Sequence, residues 1–133
     1  MFKSFLTLVT LSMAFSTPVL SQEMDAGKQQ YMVACASCHG ESGKGNGTFA
    51  SVLSYTVPSL TTLAAQNEGK FPYLEVFMIV DGRTGVRGHG TNMPIWGDRF
   101  SRMANEDFGE YGSEVVTRGR IAVLVDYLQS IQE

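Results

Sequence analysis

"CASCH", residues 35 to 39, contains both cysteines of the chain and one of its two histidines. A redox-active dithiol uses the same C-x-x-C spacing, but it normally lies in a βαβ pattern, which this sequence lacks. Zinc ligation by Cys35, Cys38, His39 and His89 would need adjacent residues at two corners of one tetrahedron. A disulfide within the motif would close a very small ring, constrain little of the unfolded chain and leave the histidine unexplained.

A covalent haem explains all three residues of the motif together. Two thiols three positions apart on a helical turn can add to the two vinyl groups of one haem, and the next residue then presents its imidazole to the iron. We therefore predict thioether bonds at Cys35 and Cys38 and axial ligation of the iron by His39. Because the motif occurs once, the prediction is one haem c.

The segments on either side of the motif have helical patterns. One helix is predicted at residues 24 to 35, where no proline interrupts the sequence. The clearest helix is predicted from Val115 onward, because apolar residues recur at helical spacing between Ile121 and Ile131. No segment alternates as a strand does, so the predicted fold class is all-α, with about four short helices.

Loops and short helices are predicted between these two helices. Residues 40 to 60 contain four glycines and a proline and should form mainly loop, followed by a helical turn at residues 61 to 66. A short helix is expected at residues 73 to 80, with Pro72 tolerated at its start. Residues 82 to 97 contain five glycines, which predicts an extended loop of the length that is usually functional.

The first 21 residues are predicted to be a secretory signal peptide. Lys3 provides a positive n-region, residues 5 to 15 are mostly apolar, and cleavage is expected after Ser21. An uncleaved anchor is the alternative, although Ser, Thr and Pro interrupt the apolar run that a spanning helix needs. The domain is then residues 22 to 133, and we expect a periplasmic protein with no membrane attachment after cleavage.

Composition and charge limit the classes of partner. The chain is 44% hydrophobic and 17% charged, as expected of one globular domain. The chain contains ten Lys and Arg residues and 13 Asp and Glu residues, which gives a formal net charge of −3. Loss of Lys3 with the signal peptide would make the mature chain more acidic. Nucleic acid is excluded as a partner because phosphate binding needs a basic face.

With these features, the sequence resembles the class I monohaem c-type cytochromes of bacteria. Gly27 and Tyr31, together with CASCH, are similar to the first helix of that family, whose glycine allows the last helix to cross closely. Tyr127, in "LVDYLQ", matches the aromatic residue that packs at the crossing. The resemblance implies the class I cytochrome c fold, with about four short helices around one covalently attached haem.

"PSL", residues 58 to 60, is similar to the Pro-x-Leu segment of the family. By this resemblance, the carbonyl of Pro58 would accept a hydrogen bond from the second ring nitrogen of His39 and fix the orientation of the ring. Leu60 would pack against the porphyrin. An ordinary turn proline followed by a core leucine remains the alternative.

The sixth iron ligand is assigned to Met93 because Met-Pro in a glycine-rich loop resembles the distal ligand segment of the family. A thioether favours ferrous iron and raises the reduction potential. Met103 is one alternative, since it also follows the loop. His89 is another, and it would give an iron with two imidazole ligands.

Trp96 and four arginines surround the predicted ligand loop. An indole N–H or a guanidinium can donate to the haem propionates, although Trp96 could also simply cover the core and the arginines could form a solvated face. Because they flank the loop of an acidic protein, we predict docking on an acidic patch of a partner near the haem edge. These arginines are Arg83, Arg87, Arg99 and Arg102.

The predicted function is the transfer of single electrons between larger redox proteins, in transient complexes formed by a monomer. The haem provides the redox chemistry and no residue is required to transform a substrate, so the chain is not expected to be an enzyme. Two alternatives remain. The chain could be the haem c subunit of a larger redox complex, or a haem protein in which Met93 leaves the iron and a small gaseous ligand binds.

Overall fold

The computed structural model describes residues 20–85 and 93–133, with side chains from residue 25 onward. Every regular element in this part of the chain is helical, which confirms the predicted all-α class. The elements are α1 (Leu20–Ala34), α2 (Ala36–His39), α3 (Tyr73–Asp81), α4 (Trp96–Ser130) and two 3-10 turns at Ala50–Val52 and Ala65–Asn67.

The predicted signal peptide lies almost entirely outside the described residues, since α1 is described only from Leu20. Cleavage after Ser21 therefore stays a prediction. Within the described ranges, no helix is both long enough and apolar enough to cross a membrane.

Helices α1 and α4 cross at Gly27. A Cβ at this position would overlap the carbonyl oxygen of Val123 and lie 2.8 Å from the Cβ of Tyr127, so only glycine permits this approach. One turn later, the fully buried ring of Tyr31 lies 5.3 Å from the Tyr127 ring, tilted by 48°. The crossing predicted from Gly27 and Tyr127 is confirmed.

The core lies where α1 and α3 pack against the second half of α4. Four buried residues of α4 recur at intervals of three and four, as a single buried helix face requires. They are Ile121, Leu124, Val125 and Leu128. Helix α3 adds Val76 and Val80, one turn apart, and Cys35 belongs to the same buried cluster. The CASCH motif is thus anchored to the core at its first residue.

Helix α3 has the boundaries that its flanking residues predict. Pro72 precedes it, and Gly82 ends it with a left-handed backbone (φ 68°), donating its N–H to the carbonyl of Met78. The helical turn predicted at residues 61 to 66 is found further along the chain, as the 3-10 turn Ala65–Asn67. The predicted loop at residues 40 to 60 contains only the short turn Ala50–Val52.

The start of the last helix was wrongly predicted. Helix α4 begins at Trp96, so the predicted loop ends earlier than Gly97, and the helix continues to Ser130 with one break at Gly109 (φ 64°, ψ −179°). The apolar pattern before Val115 is weak because few large apolar side chains there face the core. Phe100 and Ala104 are buried, but several others are exposed: Met103, Phe108, Tyr111 and Val115.

Candidate haem-binding site

The CASCH motif forms a helical turn at the junction of α1 and α2. Cys35 donates its N–H to the carbonyl of Tyr31 (2.8 Å), and the N–H groups of Cys38 and His39 donate to the carbonyl of Cys35 (3.1 and 2.9 Å). This turn directs all three functional side chains of the motif to one cavity. Both thiols are free, so neither is used in a disulfide.

A hydrogen bond joins His39 to the next segment of the chain. Its side chain is buried, and Nδ1 lies 3.1 Å from the carbonyl oxygen of Pro58. A carbonyl can only accept, so Nδ1 carries a proton, and in the neutral ring the lone pair is then on Nε2. The structure thus brings His39 and Pro58 into the contact that the sequence predicted.

The glycines after the motif allow the following loop to pass beside it. Gly45 donates its N–H to the carbonyl of His39 (2.7 Å), and Gly47 donates to the carbonyl of Cys38 (3.1 Å). Gly45 has a left-handed backbone (φ 79°), and a Cβ there would overlap the carbonyl oxygen of Val57. A larger residue at this position would push the Pro58 segment away from the histidine.

Two adjoining cavities meet at the motif and share Cys35, His39 and Met93 in their walls. Their volumes are about 220 and 300 Å³. The first is also lined by Cys38, Val57, Pro94, Trp96 and Arg99. The second is also lined by Pro58, Leu60, Val76, Val80 and Leu128. The seven residues assigned to the haem site from the sequence therefore line one or both cavities: Cys35, Cys38, His39, Pro58, Leu60, Met93 and Trp96.

The chemistry of these walls fits a covalently attached haem. Aliphatic side chains form most of the second cavity, as a porphyrin requires. The imidazole of His39 and the thioether of Met93 are the nitrogen and sulfur donors that haem iron accepts. Arg99 and Trp96 both lie in the wall of the first cavity, and the Arg99 guanidinium is 5.3 Å from the centre of the Trp96 ring. Both side chains carry N–H groups that can donate to a carboxylate.

The environment of the thiols argues against a redox-active dithiol. Burial, and to a smaller extent the neighbouring Cys38, raises the pKa of the Cys35 thiol to about 12. Reactive cysteines have the opposite shift, because the thiolate is the nucleophile. The described residues also contain no cluster of three or more His, Cys, Asp or Glu side chains that could hold a metal ion. His89, required for the zinc hypothesis, lies outside the described residues.

Arg83 is paired within the protein and lines neither cavity of the site. Its guanidinium donates to both carboxylate oxygens of Asp81 (2.6 and 2.8 Å) and to both of Glu114 (2.6 and 3.3 Å). Its donors are therefore used within the protein. Arg102 lies with Arg83 in a separate polar cleft, and Arg99 is the one described member of the four that lines a cavity of the site.

The rival sixth ligands have different positions. Met103 is 65% exposed and is not one of the described residues that line the two cavities, whereas Met93 lines both. His89 and Arg87 lie outside the described residues, so the hypotheses about them stay predictions.

Several wall residues were missed by the sequence analysis. Val76 and Val80 share one face of α3, and their spacing of four residues was the signal that could have identified them as cavity wall. Val57, directly before the predicted Pro58, closes the first cavity. Nothing in its local sequence distinguishes it from an ordinary loop valine.

Comparison with known proteins identifies the family. The cytochrome c family model matches residues 24 to 132, which include the motif, both cavities and the full length of α3 and α4. Searches of curated proteins and of solved structures gave no significant match. Because the family model covers most of the sequence, the chain belongs to the cytochrome c family.

Proposed function

We propose that this protein carries one electron at a time on a single haem c, bound through Cys35 and Cys38 and ligated by His39 and Met93. Membership of the family supports electron transfer by haem c. One observation supports the finer assignment. The side chains of His39 and Met93 each line the two cavities, and so does Cys35.

Each residue has a separate task in this proposal. Cys35 and Cys38 attach the group at the junction of two helices, where the backbone is held by three hydrogen bonds. The Pro58 carbonyl orients the His39 ring and keeps its Nε2 available as a ligand. When bound, the haem supplies the one-electron change of its iron.

The surrounding side chains control water and charge. Leu60, Val76 and Leu128 form an apolar wall that excludes water from the iron and favours the less charged ferrous state. Met93 adds a soft thioether, which acts in the same direction. Arg99 and Trp96 supply donors for the propionates at the first cavity.

We further propose that the chain is exported, loses residues 1 to 21, and works in the periplasm as a monomer that meets larger redox proteins transiently. The support is the pattern of its first 21 residues, together with the two thiols that lie next to the predicted iron ligand His39. No catalytic group is assigned, because electron transfer needs only the haem, its ligands and an accessible edge.

Absorption spectra of the purified protein in both oxidation states test this function. The ferric protein should show the long-wavelength sulfur-to-iron band, and the reduced protein should bind carbon monoxide slowly and weakly because Met93 occupies the sixth position. Prompt, tight binding of carbon monoxide would instead support a haem protein for gaseous ligands. Isolation only as part of a stable complex would support the subunit hypothesis.

A further inference from the structure

A cluster of three charged side chains lies next to the predicted ligand loop but outside the site. The Arg83 cluster consists of Asp81, Arg83 and Glu114, and its four guanidinium contacts measure 2.6 to 3.3 Å. Planar guanidinium groups that bind carboxylates through two nitrogens have a fixed geometry, unlike flexible surface pairs. The side chains of Asp81 and Arg83 are only 9% and 25% exposed, so water screens this pair less than an open ion pair.

The cluster connects the residues on both sides of the segment that contains Met93. Asp81 ends α3 and Arg83 follows two residues later, whereas Gly97 is the second residue of α4. A Cβ at Gly97 would overlap Oδ1 of Asp81 and lie 2.5 Å from Nε of Arg83. The start of α4 therefore packs directly on this ion pair, and the glycine is needed for that approach.

A second contact joins the same two stretches of chain. A Cβ at Gly82 would lie 3.3 Å from Cγ2 of Ile95, which places the residue after α3 against the residue before α4. Met93 is only two positions before Ile95 in the chain. Only Pro94 therefore separates Met93 from the residue that packs against the end of α3.

Glu114 extends the connection to the part of α4 beyond the break at Gly109. It binds Arg83 on one side and accepts a hydrogen bond from Nε of Arg118 (2.6 Å) on the other. The Arg118 side chain is 66% exposed and contacts Glu114 one turn away on the same helix. Arg118 consequently shares the carboxylate with Arg83 but is largely exposed and lies on the same helix as Glu114, which makes it a matched control.

We propose that Arg83 is a positioning residue for Met93, acting with Asp81 and Glu114 to hold the start of α4 against the end of α3. This inference rests on the proposed ligation by Met93. Among the described residues, neither Asp81 nor Arg83 lines the two cavities, so the cluster acts through Ile95 and Gly97, which follow Met93 in the chain, rather than by contact with the haem.

Competition with an added ligand measures this effect. Imidazole can bind the ferric iron only when Met93 is displaced, so its apparent affinity rises with the fraction of molecules in which Met93 is away from the iron. Loss of the Arg83 cluster should increase that fraction. A role limited to global stability would lower the free energy of unfolding and leave the affinity of the folded protein for imidazole unchanged.

The experiment titrates imidazole into the ferric holoprotein and follows the haem absorption. We expect Arg83→Gln to bind imidazole about tenfold more tightly than the wild type, with Glu114→Gln changed in the same direction. Arg118→Gln also removes one positive charge that pairs with Glu114. Because this ion pair is exposed, the variant should change the imidazole affinity by less than about twofold. If Arg83→Gln does not yield folded protein, the imidazole affinities of Glu114→Gln and Arg83→Lys test the inference instead.

The outcomes separate this inference from the proposed function. A wild type that shows the sulfur-to-iron band, with cluster variants that keep the wild-type imidazole affinity, overturns the positioning role and leaves the function intact. A wild type without the band overturns ligation by Met93 and the positioning role with it. An equal gain in affinity in Arg118→Gln would also overturn the inference, because the effect would then follow net charge.

Discussion

His39 donates its Nδ1 proton to the Pro58 carbonyl at 3.1 Å, and this one bond determines which nitrogen can meet a metal. A ring with Nδ1 protonated has a lone pair on Nε2 only, and the bond prevents the ring from turning away. Proline contributes a backbone oxygen, so the bond does not depend on a side chain that could rotate. The bond therefore fixes the orientation in which the imidazole would meet a metal.

Substitution of the candidate sixth ligands separates Met93 from His89. Met93→Ala should abolish the long-wavelength sulfur-to-iron band and lower the reduction potential, because the soft axial ligand is lost. His89→Gln should leave the band in place. Absorption spectra of the two ferric variants test this assignment, and loss of the band in His89→Gln alone would refute it.

The site residues differ in how much the sequence reveals about them. Cys35, Cys38 and His39 were predictable because a helical turn places contiguous residues together by itself. The contact of Pro58 with His39 spans 19 positions and was expected only from resemblance to a family. The pairing of Arg83 with Glu114 was not predicted, because the two residues lie 31 positions apart and no local pattern indicates their contact.

Among the elements, α1 and α4 depend on the crossing at Gly27. We expect Gly27→Ala to lower the free energy of unfolding by about 1–3 kcal/mol, since the added methyl group overlaps the Val123 carbonyl and the helices must separate. Gly119→Ala is the control in the same fold. A Cβ there meets nothing within 4 Å, so this variant should gain about 0.5–1 kcal/mol from the better helix propensity of Ala.

Chemical denaturation of the two holoproteins, followed by the helical circular dichroism signal, measures both changes. Equal stability of Gly27→Ala and the wild type would show that the close crossing is not required. A loss of stability in Gly119→Ala would show that the outer face of α4 is covered by something other than water.

The end of α3 should make the protein sensitive to acid. Hydrogen bonding to Arg83 lowers the pKa of Asp81 below its ordinary value of 3.8, so the ionised carboxylate stabilises the folded state. This contribution is complete above pH 3.8 and is lost as the pH falls through the lower pKa of the folded state. Asp81→Asn should therefore lose about 1–3 kcal/mol at neutral pH and approach the wild type in strong acid.

Urea denaturation across this pH range measures the difference between Asp81→Asn and the wild type. Glu133→Gln is the control, because its ion pair with Lys44 is more than half exposed on both sides and should contribute little. A stability difference for Asp81→Asn that stays constant down to strong acid would exclude the carboxylate as its source.

The elements that were predicted best have strong local signals at both ends. Pro72 and Gly82 delimit α3, and the buried stripe from Ile121 to Leu128 marks the second half of α4. The first half of α4 was missed because its contacts are mostly distant in sequence. Phe100 packs in the core and Gly97 packs on Asp81, and neither contact leaves a periodic pattern.

At the scale of the whole molecule, Arg99 is the arginine that lines the site among the residues that the structure describes. Arg99 is exposed, lines the first cavity and lies over Trp96. The net charge of the chain is −3, so the charge of Arg99 is opposite in sign to the charge of the whole molecule, and it should attract anions locally. Docking of the loop arginines on an acidic partner stays a prediction, and Arg99 is the described arginine that the structure places at a cavity wall.

Oxidation of the reduced protein by the anion ferricyanide tests this local field. Arg99→Gln should slow the reaction about two- to threefold at low ionic strength, because a local attraction for the anion is removed. The difference should vanish at high salt, where the Debye length becomes short. Arg118→Gln changes net charge equally but lies outside the cavity walls, and an equal slowing in that variant would contradict a local effect.

The central claim is that Cys35 and Cys38 attach one haem covalently. The intact mass of the protein, measured under denaturing conditions after expression with a complete cytochrome c maturation system, tests this claim most directly. The account predicts a single species heavier than the mature polypeptide by one haem, which is lost from a variant with both cysteines changed to alanine. A mass equal to the unmodified polypeptide would contradict it.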